Sequence, residues 1–173
     1  YVLEKAHHIA TSGRPGPVLV DIPMDLQRAQ INPNKLKSFK PEIIKKKINH
    51  KNIIVKVNDL LKKSKKPVVI LGGGIKYGKS EKDLINFLKN FNTPIVTTWS
   101  GVDLIDYNNE NYIGNIGVYG SRAANFTVQN SDLILCLGTR LDTRVTGGVP
   151  KSFARKAKKI VVDIDKYELN KKR

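Results

Sequence analysis

From about residue 50 onward, apolar positions fall into two alternating kinds of run. One kind is continuous: VVILGGGI (68–75), PIVTTW (94–99), DLILCLG (132–138) and KKIVVDID (158–165). The other is spaced. Ile53, Val57, Leu60 and Leu61 recur at helical intervals within 50–64, and Leu84, Phe87, Leu88 and Phe91 do the same behind Ser80 and Asp83, which fit a capping box. A further helix is expected around 121–130. Strands that are apolar throughout are buried on both faces, and their alternation with helices is the pattern of crossover units. The expected fold class is therefore α/β: a Rossmann-like, doubly wound parallel sheet over 50–173.

Upstream the pattern changes. Val2, Ala6, Ile9 and Ala10 share one face of a helix over 2–11, and SGRPG ends it. VLVDI (18–22) reads as a buried strand closed by Pro23. Residues 28–49 contain two prolines and several lysines without a period, as a linker does. The expected organisation is a helix-strand remnant of one domain at 1–27, a linker at 28–49, and a second domain at 50–173. The opening on Tyr1 rather than Met points to a piece of something longer.

Charge adds a second theme. There are 31 Lys+Arg against 15 Asp+Glu, a net charge of +16, which raises the possibility of nucleic-acid binding. The cations are mostly lysines, in KKK (45–47), KKSKK (62–66) and RKAKK (155–159), without interleaved aromatics. They read as solvated connectors and helix ends rather than a binding stripe. No run is long and apolar enough for a membrane helix, which takes about 18 residues. The single cysteine, Cys136, lies inside an apolar run, so it reads as a small buried hydrophobe in a chain from a reducing, cytoplasmic setting.

In a doubly wound sheet, ligands bind beyond the carboxyl ends of the strands. Those ends carry Gly72, Gly73 and Gly74; Thr98 and Trp99; Gly138, Thr139 and Arg140; and Asp163 with Ile164. The glycines either bring backbone amides close to a ligand or make a tight turn. Arg140 and Arg144 are forks suited to pyrophosphate or carboxylate, with Asp142 between them to orient one or accept from a ribose. Asp163 could accept from ribose hydroxyls or cap a helix. Trp99 and Tyr119 could stack on a flat ring or pack in the core. His7, His8 and His50 have no metal-ligand spacing, and no catalytic Ser/His/Asp or Cys/His set is visible. The residues point to a nucleotide-type site without catalytic or metal-binding apparatus of its own.

These residues also carry a resemblance. SGRPGPVLVDIPMDLQ (12–27), PVVILGGGI, PIVTTWSG, IGVYGSRAANFTVQNSDLILCLGTRLDTRVTG and KIVVDIDKYEL follow one another as in the thiamine-diphosphate-dependent enzymes of the acetolactate synthase (acetohydroxyacid synthase) group. The resemblance implies the tail of a pyrimidine-binding domain followed by the central domain. It implies FAD in that domain, without a redox role in the overall reaction. The positions carried over are Arg14, Gly72, Gly73, Gly74, Thr98, Trp99, Val118, Tyr119, Gly138, Thr139, Arg140, Asp142, Arg144, Val145, Asp163 and Ile164. Three positions depart from the family pattern: Trp99-Ser100-Gly101 replaces a Leu-Met/Gln-Gly run, Tyr119 a histidine, and Thr143 an aspartate.

In that family the catalytic glutamate and the thiamine diphosphate and Mg²⁺ sites lie in other domains, so the chain is expected to be non-catalytic alone. A further strand usually follows the DIDxxEL segment. The parent would decarboxylate a 2-keto acid such as pyruvate and transfer the carbon unit to an acceptor, as a dimer or tetramer, without nucleic acid or membrane. A thiamine-diphosphate decarboxylase or oxidase, or a sugar-pathway relative, is the alternative enzyme. A basic nucleic-acid-binding module is the alternative of another class. An NAD-dependent deacylase is unsupported, because this chain has no zinc-ligand cysteines, no proper GxGxxG and no candidate catalytic histidine near a strand end.

Overall fold

The computed structural model describes residues 1–42 and 50–171. The lysine run at 45–47 lies outside the described residues. The chain divides into two compact units, Tyr1–Ile48 and Asn49–Arg173.

The first unit opens with α1 (Val2–Thr11) and has a short α2 (Met24–Arg28). Phe39 returns to α1: its amide donates to Glu4 Oε2 at 2.6 Å, and its ring meets Tyr1 edge-on at 5.6 Å. That amide holds the Glu4 carboxyl below its ordinary range. Part of the expected linker thus packs on the first helix. The expected strand at 18–22 is not formed. The segment has no regular secondary structure and pairs with no strand, and Leu19 is 88% exposed. An apolar run becomes a strand only against another strand, and none is described in this unit.

The second unit is the expected α/β domain. After α3 (Lys51–Lys63) come β1 (Pro67–Leu71), α4 (Gly74–Tyr77), α5 (Glu81–Lys89), β2 (Ile95–Thr97) and a 3₁₀ turn over Trp99–Leu104. Then come β3 (Tyr112–Asn115), α6 (Arg122–Gln129), β4 (Leu133–Leu137), α7 (Thr143–Thr146), β5 (Lys158–Val162) and α8 (Lys166–Leu169). All strand pairs are parallel, in the order β3-β2-β1-β4-β5. That is the dinucleotide-fold order, with the chain reversing direction across the sheet between β1 and β4.

Alternate residues of the central strands supply two cores. Val68, Ile70, Val96, Ile134 and Cys136 face α6 and the segment around Phe153 and Ala154. Val69, Leu71, Ile95 and Leu135 face α3 and α5 through Val57, Leu61, Leu84 and Phe87. Val69, Ile70, Leu71, Val96, Ile134 and Cys136 have essentially no exposed surface, which is why these runs carry no polar alternation. Full burial of each large side chain contributes about 1.5–3 kcal/mol.

One expectation needs correction and two features are new. The Ser80–Asp83 capping box is not made: Ser80 sits at the N-cap of α5, but its hydroxyl donates to Gly78 O at 3.1 Å. The first apolar run is a strand to Leu71 running into its glycines, as expected, and these lead into the unforeseen short helix α4. An unexpected edge strand, β3, completes the sheet.

Candidate functional site

The carboxyl ends of all five strands open on one edge, and every predicted site residue of the second unit lies along it. At its centre the ends of β1 and β4 interlock through backbone. Gly72 N–H donates to Leu137 O and Gly74 N–H to Gly138 O, both at 2.9 Å. A Cβ on Gly72 would stand 2.4 Å from Gly138 O; one on Gly138, where φ is +63°, would stand 2.6 Å from the Ile75 nitrogen. These glycines are required by the close approach of two strand ends. The next amides, Ile75 and Lys76, donate to Gly72 O and Gly73 O. The amides of Gly72, Gly74, Ile75 and Lys76 are thus spent inside the protein rather than left to cradle a phosphate.

On the β4 side, the polypeptide turns at Leu141 into α7. Asp142 is the N-cap of that helix: its Oδ1 accepts from the amides of Arg144 (3.0 Å) and Val145 (3.2 Å). Its other oxygen accepts from Arg140 Nε at 3.3 Å. Asp142 therefore shapes the loop and orients one arginine. Arg144 is exposed, and its side chain has no partner among the described residues. Thr139 is buried and Val145 packs on the α6-side core. Asp163, just past β5, accepts from Asp165 N–H at 2.8 Å and so holds the turn into α8, where Ile164 is exposed.

On the β2 side, Thr98 is buried and its amide donates to Leu71 O at 2.9 Å, which turns Trp99 outward. Trp99 lies against Tyr119 with ring centroids 5.2 Å apart and planes 22° apart. Both rings are more than half exposed, so they are not core packing. Tyr119 sits in the loop Gly117–Gly120, which is fixed by residues that the sequence pattern did not single out. The Asn125 side chain pairs with Gly117 twice, Oδ1 accepting from its N–H and Nδ2 donating to its carbonyl, each at 3.0 Å. Val118 N–H donates to Arg144 O at 2.9 Å, which couples the Tyr119 loop to the arginine loop.

Beside Tyr119 is an open groove of about 580 Å³ along β3, walled by Val102, Ile105, Tyr107 and Tyr112. Only Tyr119 is common to that groove and the predicted set. At its floor Thr97 Oγ1 donates to Asn115 Oδ1 at 2.6 Å, and Tyr112 OH approaches the same oxygen at 3.2 Å. Lys76 Nζ meets both oxygens of Asp103, at 2.7 and 3.0 Å, and holds that carboxyl below its ordinary range. None of β3, the Asn125 clamp or the Lys76–Asp103 pair was read from the sequence; the glycines flanking Val118-Tyr119 were the only hint. Arg14 lies in the turn after α1, in the first unit. No group of three or more His, Cys, Asp or Glu among the described residues can hold a metal ion, and no described helix is long and apolar enough to cross a membrane.

A parallel α/β domain with cations, a carboxylate and an exposed aromatic pair along its strand-exit edge is, by fold class, a doubly wound Rossmann-like domain with its candidate site at that edge. Comparison with known proteins makes the class specific. Residues 54–173 match the family model "Thiamine pyrophosphate enzyme, central domain", and the chain belongs to that family. Among similar proteins is the probable acetolactate synthase large subunit of Methanococcus aeolicus, 33% identical over 98% of this chain and 29% of its own length. The isozyme 2 large subunit of Escherichia coli is 36% identical over 99% of this chain and 31% of its length. The chloroplastic acetolactate synthase of Arabidopsis thaliana is 37% identical over 98% and 25%. The chain thus spans less than a third of the relatives it matches.

Proposed function

We propose that this chain is the central domain, with the tail of the preceding domain, of an acetolactate-synthase-type enzyme. In the whole protein, thiamine diphosphate with Mg²⁺ would supply the carbon nucleophile that forms on decarboxylation of a 2-keto acid such as pyruvate. That chemistry belongs to residues outside this chain. The observation that supports this reading most is the likeness to acetolactate synthases over 98–99% of the chain, in both units.

Within this chain the strand-exit edge is proposed to hold a flavin nucleotide, FAD. The donor set fits such a group in a particular way. With the Gly72, Gly74 and Gly138 amides spent, a ligand's negative charge falls mainly to the side chains of Arg140 and Arg144, which are fixed cations. Trp99 and Tyr119 offer flat faces for a ring. The Asp163 oxygen not used by its own turn is placed to accept from a hydroxyl. Gly72, Gly73, Gly74 and Gly138 shape the floor, Thr98 and Thr139 are its buried supports with the half-buried Val145, and Val118 and Ile164 are its exposed apolar rim. All of these bind and position; none moves a proton or bond. The parent is proposed to be a cytoplasmic homodimer or tetramer.

The test is direct. The full-length protein should consume pyruvate only with thiamine diphosphate and Mg²⁺, and should carry the visible absorbance of a bound flavin. Turnover without flavin absorbance would retain the enzyme assignment and remove the FAD site.

A further inference from the structure

The edge opposite the candidate site, where the strands begin, collects charge that the sequence scatters. The lysine runs 62–66 and 155–159 lie far apart along the chain, yet the sheet register pairs their ends. Pro67 is level with Leu133, and Leu133 with Lys158. Backbone bonds carry the row across: Asp132 N–H donates to Lys66 O at 3.2 Å, and Lys158 N–H donates to Asp132 O at 2.9 Å. Adjacent strands stand about 4.8 Å apart, so the two runs face each other across about 10 Å. All their cations are exposed except the half-buried Lys159.

The one acid in that row does not pair with them. Asp132 accepts from the Ser64 hydroxyl and from the amides of Lys65 and Lys66, at 2.8 and 3.0 Å. Asp103, Asp142, Asp163 and Asp165 lie at the exit edge, whereas Asp59 near the end of α3 and Asp106 and Glu110 before β3 lie on the entry side, away from the Lys66–Asp132–Lys158 row. The expectation that these lysines form no common surface is therefore corrected. Two of the three runs make one patch.

We infer that this strand-entry edge is a docking surface for a carboxylate-rich face or segment of a partner protein. Charge complementarity requires an anion, and the local chemistry favours carboxylates over a nucleic-acid backbone. No aromatic stands between the eight cations of the two runs for a base to stack on. A broad, flexible, single-sign surface steers an acidic partner and sets its register.

The experiment uses the full-length protein and a short fluorescent poly-glutamate peptide, with an oligonucleotide of matched charge as competitor. Lys65→Glu/Lys158→Glu should weaken peptide binding about tenfold at low salt, and Lys65→Gln/Lys158→Gln by an intermediate factor. The control pair Lys82→Glu/Lys166→Glu, on the opposite edge, changes net charge equally and should stay within about twofold. Equal losses in both reversal pairs, no peptide binding at about 50 mM salt where screening is weak, or tighter binding of the oligonucleotide would each overturn the assignment.

Discussion

Trp99 and Tyr119, twenty positions apart in the chain, lie ring against ring at 5.2 Å on the exit edge of the sheet. Two different devices bring them there. The buried Thr98 backbone turns Trp99 out at the end of β2, and Asn125 clamps the loop that carries Tyr119. Both rings remain more than half exposed, so the pair is an aromatic surface and not a piece of core.

Trp99 is the only tryptophan of this chain, so the chain's tryptophan fluorescence reports on this site. Addition of FAD should quench it. Trp99→Ala should weaken FAD binding about threefold to tenfold, the range expected for about 0.5–1.5 kcal/mol of aromatic contact. Unchanged affinity in the variant would remove the aromatic pair from the site.

Gly72→Ala should be among the most destabilising single changes in the domain, because its methyl would stand 2.4 Å from Gly138 O. A loss of about 3 kcal/mol or more is expected, through displacement of two packed strand ends. Gly148→Ala, with nothing within 4 Å of its new Cβ, should stay within about 0.5 kcal/mol. Thermal or urea unfolding of the two variants separates a position fixed by close packing from one that is not.

Asn125→Ala removes both bonds to Gly117 and should cost about 1–3 kcal/mol. Asn125→Asp keeps an acceptor for the Gly117 N–H but sets a carboxylate against its carbonyl, so it should not restore stability. Equal stability of wild type and the alanine variant by urea unfolding would show that the loop is held by other contacts.

Asp132 ties the start of β4 to the end of α3, and its carboxyl is held below the ordinary range, first by the Ser64 hydroxyl and then by the Lys65 and Lys66 amides. The folded pKa lies below the unfolded value of about 3.9. The contribution is therefore present above pH ~4 and is lost as pH falls through the folded value. Wild type should lose stability on acidification below pH ~4 more steeply than Asp132→Asn. Parallel acid limbs in urea unfolding would contradict this.

The longer helices α1, α3, α5 and α6 and four of the five strands were legible because long apolar runs and helical spacing have few alternative solutions, whereas the four- and five-residue helices α2, α4, α7 and α8 carry too few positions to show a period. β3 was not: Tyr112-Ile113-Gly114-Asn115 is short, half polar, and includes a glycine at φ +127°. As an edge strand it needs one partner only, so its composition is weakly constrained. VLVDI failed in the opposite sense, since composition favours a strand but pairing makes one. At the site, Asp142 shows what sequence cannot separate. A carboxylate between two arginines reads as a ligand contact, yet one of its oxygens caps α7. The same holds for Gly72 and Gly138, whose reason is each other's backbone.

The measurement closest to the central claim is product analysis with the full-length parent. Supplied with pyruvate, thiamine diphosphate and Mg²⁺, it should form acetolactate, and omission of thiamine diphosphate should abolish the reaction. Absence of turnover, or release of free acetaldehyde in place of acetolactate, would contradict the assignment.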